Sequence, residues 1–238
     1  MNKAGLTAPV AVGILETPTG FEVNALHGWP ERMDEFFKTK FTNYKPEITR
    51  IRAWRSDGEN STNDSSIVDP ILQQDYLYCG AGSPGYTVRH LKGSRAAGNI
   101  ERAFRKGMTV CLGSATAMAV GAYVLPVYEI FKVGEELHWI EGINLFNEWI
   151  PHVVIIPHWN NQEGEDFDTT RCYMGVDRFN LLVKLLPRGI TMLGIDEQTA
   201  CVIDVTTHEA EVLGVGCVHL IKGGRETIIQ PEGKFSFG

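Results

Sequence analysis

Met108 to Leu112 (MTVCL) is a five-residue apolar run, and only Gly113 and Ser114 separate it from Ala115 to Tyr123 (ATAMAVGAY), a small-residue run of helical length. Five apolar residues suit a buried strand, whereas a longer run of small residues packs closely on a sheet as a helix. A strand that turns at once into a helix is the building unit of α/β folds, so this junction restricts the architecture more than any other segment. Ser114 stands at the turn.

The preceding residues repeat the order. Pro9 to Leu15 (PVAVGIL) reads as a buried first strand ending in the turn-prone Thr17-Pro18-Thr19-Gly20, and Pro30 to Phe41 reads as a helix with Met33, Phe36, Phe37 and Phe41 along one face. Ile48 to Trp54 is a strand, and the polar Ser56 to Ser66 segment is a surface loop. Asp75 to Cys79 is another strand, which breaks into Gly80-Ala81-Gly82-Ser83-Pro84-Gly85, a backbone that few Cβ atoms shield from a ligand. Ala96 to Lys106 is helical and ends at Gly107. Beyond the Ser114 junction, Tyr128 to Val133 and Glu136 to Ile140 read as a hairpin about Gly134, and Val153 to Ile156 (VVII) as a buried strand ending at Pro157-His158. Thr169 to Leu186 has helical spacing, and Ile190 to Ile195 is a strand. Ala200 to Val205, Glu211 to Leu213 and Cys217 to Ile221 alternate as a closing antiparallel meander. The expected fold is a single α/β domain over 1–238, a three-layer arrangement with a mostly parallel central sheet, helices on both faces and an antiparallel extension.

The charge balance of 22 basic against 29 acidic residues, net −7, provides no electrostatic footprint for nucleic acid or an anionic membrane. The five cysteines are odd in number and mostly lie in apolar runs, which suits a reducing compartment. Met1 to Leu15 lacks the pattern of a signal peptide and no run reaches the length of a membrane span, so the expected location is cytoplasmic. No cofactor or metal is expected: the acids of Glu163-Gly164-Glu165-Asp166-Phe167-Asp168 lack the spacing of a calcium-binding hand.

In a wound parallel sheet ligands meet the carboxyl ends of the strands, where Gly80 to Gly85, Ser114 and His158 all emerge. A serine between strand and helix can project its Oγ while backbone N–H groups face a developing oxyanion; equally, it can simply cap the helix. The stretch Gly107 to Ala117 (GMTVCLGSATA) resembles the nucleophile region of the cyanophycinase and dipeptidase E family of serine peptidases, where G-T-S-A-G-A follows a buried strand. Leu193 to Ala200 (LGIDEQTA), followed by Val212 to Val218 (VLGVGCV), is similar to that family's G-I-D-E-x-T-A and V-x-G-x-G-x-V strands. Ile155 to Trp159 (IIPHW) sits where the family carries V-D-Q-H-F. The resemblance spans nearly the whole chain. It implies a class I glutamine amidotransferase-like fold and an acyl-enzyme mechanism on a small peptide or isopeptide, with Ser114 as nucleophile, His158 as base and Glu197 orienting the imidazole. The N–H of Ala115 and one from Gly80, Ala81 or Gly82 would then form the oxyanion hole.

The chain also departs from the family pattern. Thr116 stands where the family has glycine, Leu112 occupies the other flank of the turn, Gly80-Ala81-Gly82-Ser83 replaces G-G-D or G-G-N, and Pro157 replaces the glutamine before the histidine. The acidic loop 160–168 is longer than its family counterpart and could select a cationic substrate or merely be solvated. Two other readings stay open: a catalytically degenerate member that binds a ligand or partner, and a glutaminase of amidotransferase type using Cys111, since Cys111-Leu112-Gly113 also resembles C-L-G. Monomer and homodimer are both compatible with the sequence.

Overall fold

Ala11–Leu15 (β1) is apolar on both faces and almost wholly buried, as a strand inside a parallel sheet must be. It pairs in parallel with Glu47–Ile51 (β2) on one side and Tyr76–Cys79 (β3) on the other, and Thr109–Leu112 (β4) pairs in parallel with β3, giving the order β2-β1-β3-β4. Leu15 lies opposite Cys79, and Cys79 opposite Leu112. Glu16, Gly80 and Gly113, the residues that follow these three strand ends, therefore leave the sheet along one edge. This computed structural model describes residues 4–22, 24 and 28–237; Met1 to Lys3, the start of the Met1 to Leu15 stretch read above, lie outside them.

Parallel neighbours require crossovers, and helices supply them. Trp29–Lys40 (α1), with Pro30 in its first turn, buries Phe37 against Val10, Val12 and Ile14. Ser65–Val68 (α2) is a single turn capped by Asp64, whose carboxylate accepts from the Ser66 N–H. Pro84–Leu91 (α3) begins inside the stretch Gly80 to Gly85 expected as an open glycine-rich turn: the hydroxyl of Ser83 accepts from the Tyr86 N–H and Pro84 takes the first helical position, so the breaker signal is a helix start. Arg95–Arg105 (α4) starts the same way at Ser94 and buries Ala96, Ala97, Ile100 and Ala103.

The helix expected over Ala115 to Tyr123 stops at Ala119 (α5, Ala115–Ala119). Past it the backbone turns to bond elsewhere: the Ala122 N–H donates to the Val153 carbonyl at 2.7 Å, and Tyr123–Val124 (β5) pairs antiparallel with Ile140–Glu141 (β6). The hairpin expected about Gly134 is absent among the described residues. Glu129–Val133 is instead a turn of π-helix, closed by Gly134 at φ +85°, because a left-handed glycine ends a helix as readily as it turns a hairpin.

Val153–Ile156 (β7) and Thr191–Ile195 (β8) are parallel, and Gly175–Leu185 (α6) connects them. The helix begins later than the expected Thr169, since Arg171, Cys172 and Tyr173 take φ of +58°, +57° and +67° and the Asp168 carboxylate then caps the Val176 N–H at 2.7 Å. The closing strands divide between two sheets rather than forming one meander. Thr199–Asp204 (β9), Glu209–Gly214 (β10) and Lys234–Ser236 (β13) form one sheet; Val218–Lys222 (β11) leaves them to pair antiparallel with β8, and Arg225–Ile229 (β12) follows it. The Asp196 N–H donates to the Cys217 carbonyl and the Cys217 N–H to Asp196 Oδ2 at 2.8 Å, which fastens the start of β11 to the end of β8. Val153, Leu193, Val212, Val218 and Ile229 form the core beneath.

The architecture is thus α/β, with a parallel sheet, crossover helices and additional antiparallel sheets. Its contacts cluster into two compact units, Met1–Thr116 and Ala117–Gly238, each with its own sheet and core. Among the described residues no helix is long and apolar enough to cross a membrane.

Candidate active site

In the first unit, the turn after β4 carries Ser114 at φ +46°, a left-handed conformation that costs a non-glycine residue about 1–3 kcal/mol and that surrounding structure must hold in place. A helix-capping serine ordinarily has extended backbone, so Ser114 does not follow the simple capping geometry. The clamp around it is visible. The Gly113 N–H donates to the Cys79 carbonyl at 2.8 Å, and a Cβ on Gly113 would stand 3.5 Å from the Gly80 Cα, so the two glycine-bearing turns touch. Thr116, at the position where the resembled family has glycine, is buried and donates its hydroxyl to the Gly80 carbonyl at 2.7 Å. Its side chain ties the two turns together. Leu112 is the last residue of β4, opposite Cys79.

The Gly80 to Gly82 loop is held as tightly. A Cβ at Gly80 would lie 2.5 Å from the Trp29 ring. Gly82, at φ +151°, would bring a Cβ to 1.8 Å from the Pro18 carbonyl oxygen, the same oxygen that accepts from the Ser83 N–H. Only glycine fits there, and Ala81 between them is exposed. Ser114, Gly80, Ala81, Gly82 and Ala115 therefore share one edge of the parallel sheet. Cys111 lies one residue earlier than the end of β4, and burial pushes its thiol up, away from the reactive thiolate.

In the second unit, His158 and Glu197 each stand two residues beyond a strand end, of β7 and β8 respectively; because those strands are parallel, both side chains leave one edge. His158 Nδ1 lies 3.0 Å from Glu197 Oε1, and the Trp159 N–H bonds the Ile195 carbonyl at 3.0 Å to hold the two turns in step. A carboxylate only accepts, so Nδ1 carries the proton, and in the neutral imidazole the lone pair a base needs is then on Nε2. A hydrogen bond from Asn161, reinforced by His158, outweighs desolvation and holds the Glu197 carboxyl below its ordinary range. The pair is about one-third exposed on each side chain.

The sequence reading missed Asn160 and Asn161. Asn161 is fully buried and its Nδ2 donates to Glu197 Oε1 at 2.8 Å, while Asn160 Oδ1 accepts the Glu197 backbone N–H at 2.8 Å. Both lie in the loop 160–168, and the bonds that give them meaning join them to Glu197, on another strand's turn, a pairing that sequence spacing does not show. That loop does adjoin His158: Asn161 and Cys172 both donate backbone N–H groups to the His158 carbonyl, and Tyr173 lies 6.2 Å from the imidazole, centroid to centroid, with its hydroxyl on Glu163. Asp168 serves the backbone instead, accepting from Thr170 and Val176. Behind His158, Trp159 packs flat enough on Gly194 that a Cβ there would meet its ring at 2.5 Å, and the Arg171 guanidinium covers the indole at 3.9 Å. Among the described residues no group of three or more His, Cys, Asp or Glu side chains is arranged to hold a metal ion.

No protein-family model matches the chain, and none of the curated proteins matches it. Solved structures do. A peptidase from an acI-B1 Actinobacterium is similar over 95% of this chain and 83% of its own, with a TM-score of 0.75 at 21% identity. A candidate Peptidase E protein from Listeria monocytogenes EGD-e is similar over 94% of this chain and 87% of its own, with a TM-score of 0.52 at 13% identity. At these identities the likeness is one of fold.

Proposed function

We propose that this chain is a serine-type peptidase that cleaves a small peptide or isopeptide through an acyl-enzyme on Ser114, within the class I glutamine amidotransferase-like superfamily and the cyanophycinase and dipeptidase E lineage. The observation that carries the reading is Ser114 at φ +46° on a strand-to-helix turn, a conformation of cost without purpose for a mere cap and of use to a nucleophile that must project its hydroxyl. Two structures of the same fold, one of a peptidase and one of a candidate Peptidase E protein, support it.

In this mechanism the Ser114 hydroxyl adds to the scissile carbonyl as His158 Nε2 takes its proton, while Glu197 holds Nδ1–H and stabilises the imidazolium that forms. The oxyanion is received by the Ala115 N–H and one N–H of Gly80, Ala81 or Gly82. Collapse expels the amine, which leaves with the proton from His158. Water, deprotonated by the same imidazole, then releases the carboxylic acid and regenerates the hydroxyl. The Cys111 alternative is disfavoured by a thiol that burial keeps protonated.

A fluorophosphonate probe tests the assignment without knowledge of the substrate. The expected result is a single adduct on Ser114, lost in Ser114→Ala and reduced at least about 100-fold in rate in His158→Gln, the contribution usual for a general base. A protein that resists the probe under conditions that label a control serine hydrolase is a binding member of the fold instead, and alkylation of Cys111 by a glutamine-like chloroketone would move the nucleophile to the cysteine.

A further inference from the structure

We infer that Asn161 is a positioning residue for the His158–Glu197 pair, doing by a hydrogen bond what deep burial does in other catalytic dyads. The inference rests on the proposed role of that pair.

A carboxylate–histidine pair open to water gains little from its own attraction and pays side-chain entropy to stay in one geometry. Glu197 and His158 are such a pair, with side chains 37% and 33% exposed. Left alone, Glu197 would rotate among rotamers, and the imidazole would lose the partner that sets its tautomer. The structure restrains Glu197 at two points. Its backbone N–H is held by Asn160 Oδ1 at 2.8 Å, which fixes the Cα, and its Oε1 is held by Asn161 Nδ2 at 2.8 Å, which fixes the carboxylate. The oxygen that Asn161 grips is the one that accepts from His158 Nδ1. One hydrogen bond therefore aims the acceptor at the imidazole.

Asn161 can act as an anchor because it is itself immobile. It has no exposed surface; its N–H donates to the His158 carbonyl at 3.2 Å, its Oδ1 accepts the Glu163 N–H at 3.2 Å, and its carbonyl accepts the Thr169 hydroxyl at 3.3 Å. These bonds also settle the orientation of the amide: with Oδ1 taken by an N–H donor, Nδ2 must face the carboxylate. The anchor is thus built on the same turn as the base it serves.

Asn161→Asp keeps the size and the acceptor to Glu163 but removes the donor; Asn161→Ala removes it without adding charge. Both are expected to slow fluorophosphonate labelling of Ser114 by about 10- to 100-fold, a fraction of what a general base supplies. At neutral pH, ¹⁵N spectra of the imidazole should show His158 as the Nδ1–H tautomer in the native protein and as a mixture in both variants. Native labelling rate with an unchanged tautomer in folded variants overturns the inference. A native protein that the probe never labels defeats the proposed function alone, and the tautomer comparison still decides the role of Asn161. Should both variants fail to fold, the native Asn161 side-chain amide decides it: slow hydrogen exchange supports a held donor, and exchange as fast as an exposed asparagine's removes it.

Discussion

At the scale of single residues, Ser114 in the first unit and His158 in the second each take backbone that most side chains avoid. Ser114 and His158 sit at φ +46° and +52°. For Ser114, a Cβ in the left-handed region opposes the carbonyl beside it, and removing the Cβ relieves the opposition. Ser114→Gly is therefore expected to be more stable than Ser114→Ala by about 1 kcal/mol, both being inactive, as read by urea denaturation. Equal stability of the two would mean that the turn carries no strain. Glu197 provides a pH signature. Its pKa is lowered by Asn161 first and by His158, so the contact is fully formed above the ordinary glutamate value and is lost only as pH falls through the lowered one. The Glu197 carboxyl ¹³C shift in a pH titration should have its midpoint below 4.5, the ordinary value, and Asn161→Ala should move that midpoint up. Ser114 and His158 are legible in the sequence as strand-end residues, whereas the roles proposed for them and for Glu197 rest on the family resemblance. Asn161 is not legible there: the bond that gives it meaning joins it to Glu197, on another strand's turn, and sequence spacing shows no such pairing.

At the scale of elements, the strands were legible where a run was apolar and bounded by turn residues, as at β1, β3, β4 and β7, and the strand ends that carry the candidate residues followed from them. What was not legible depended on competition for backbone hydrogen bonds. The helix after Ser114 ends at Ala119 because Ala122 pairs with Val153, and the start of β11 leaves β10 because Asp196 holds Cys217; neither partner is near in sequence. Ser83-Pro84 is ambiguous for a different reason, since the same dipeptide can break a chain or begin a helix, as it does here. The element that matters most to the proposed oxyanion site is the Gly80 to Gly82 loop, and two glycine substitutions separate its constraints from those of an ordinary helix. Gly82→Ala places a Cβ against the Pro18 carbonyl and should cost about 2–4 kcal/mol in denaturant unfolding. Gly98→Ala, within α4 and facing open space, should gain about 0.5–1 kcal/mol, because alanine orders less chain entropy into a helix. Thr116→Val keeps the volume but leaves the Gly80 carbonyl without its buried donor, and about 1–3 kcal/mol of destabilisation is expected.

At the scale of the whole molecule, the question is whether the two compact units are two domains. Boundaries between independent domains fall in exposed, flexible linkers that few contacts cross. Here the division lies between Thr116 and Ala117, inside the five-residue helix Ala115–Ala119, and every residue from Ala115 to Val120 is buried. A helix this short has little stability of its own, so it cannot persist as a rigid bridge if the structure on either side of it melts. We therefore propose that the chain folds as one cooperative domain, the organisation expected from its length and its uninterrupted sequence of elements. The tryptophans provide separate reporters: Trp29 and Trp54 belong to the first unit, and Trp139, Trp149 and Trp159 to the second. With 5-fluorotryptophan in place of tryptophan, urea transitions followed at the resolved ¹⁹F signals of the two groups should share one midpoint and one slope. Separate midpoints would make the units independent domains, and the turn at Ser114 would then lie two residues before a domain boundary instead of within a single fold.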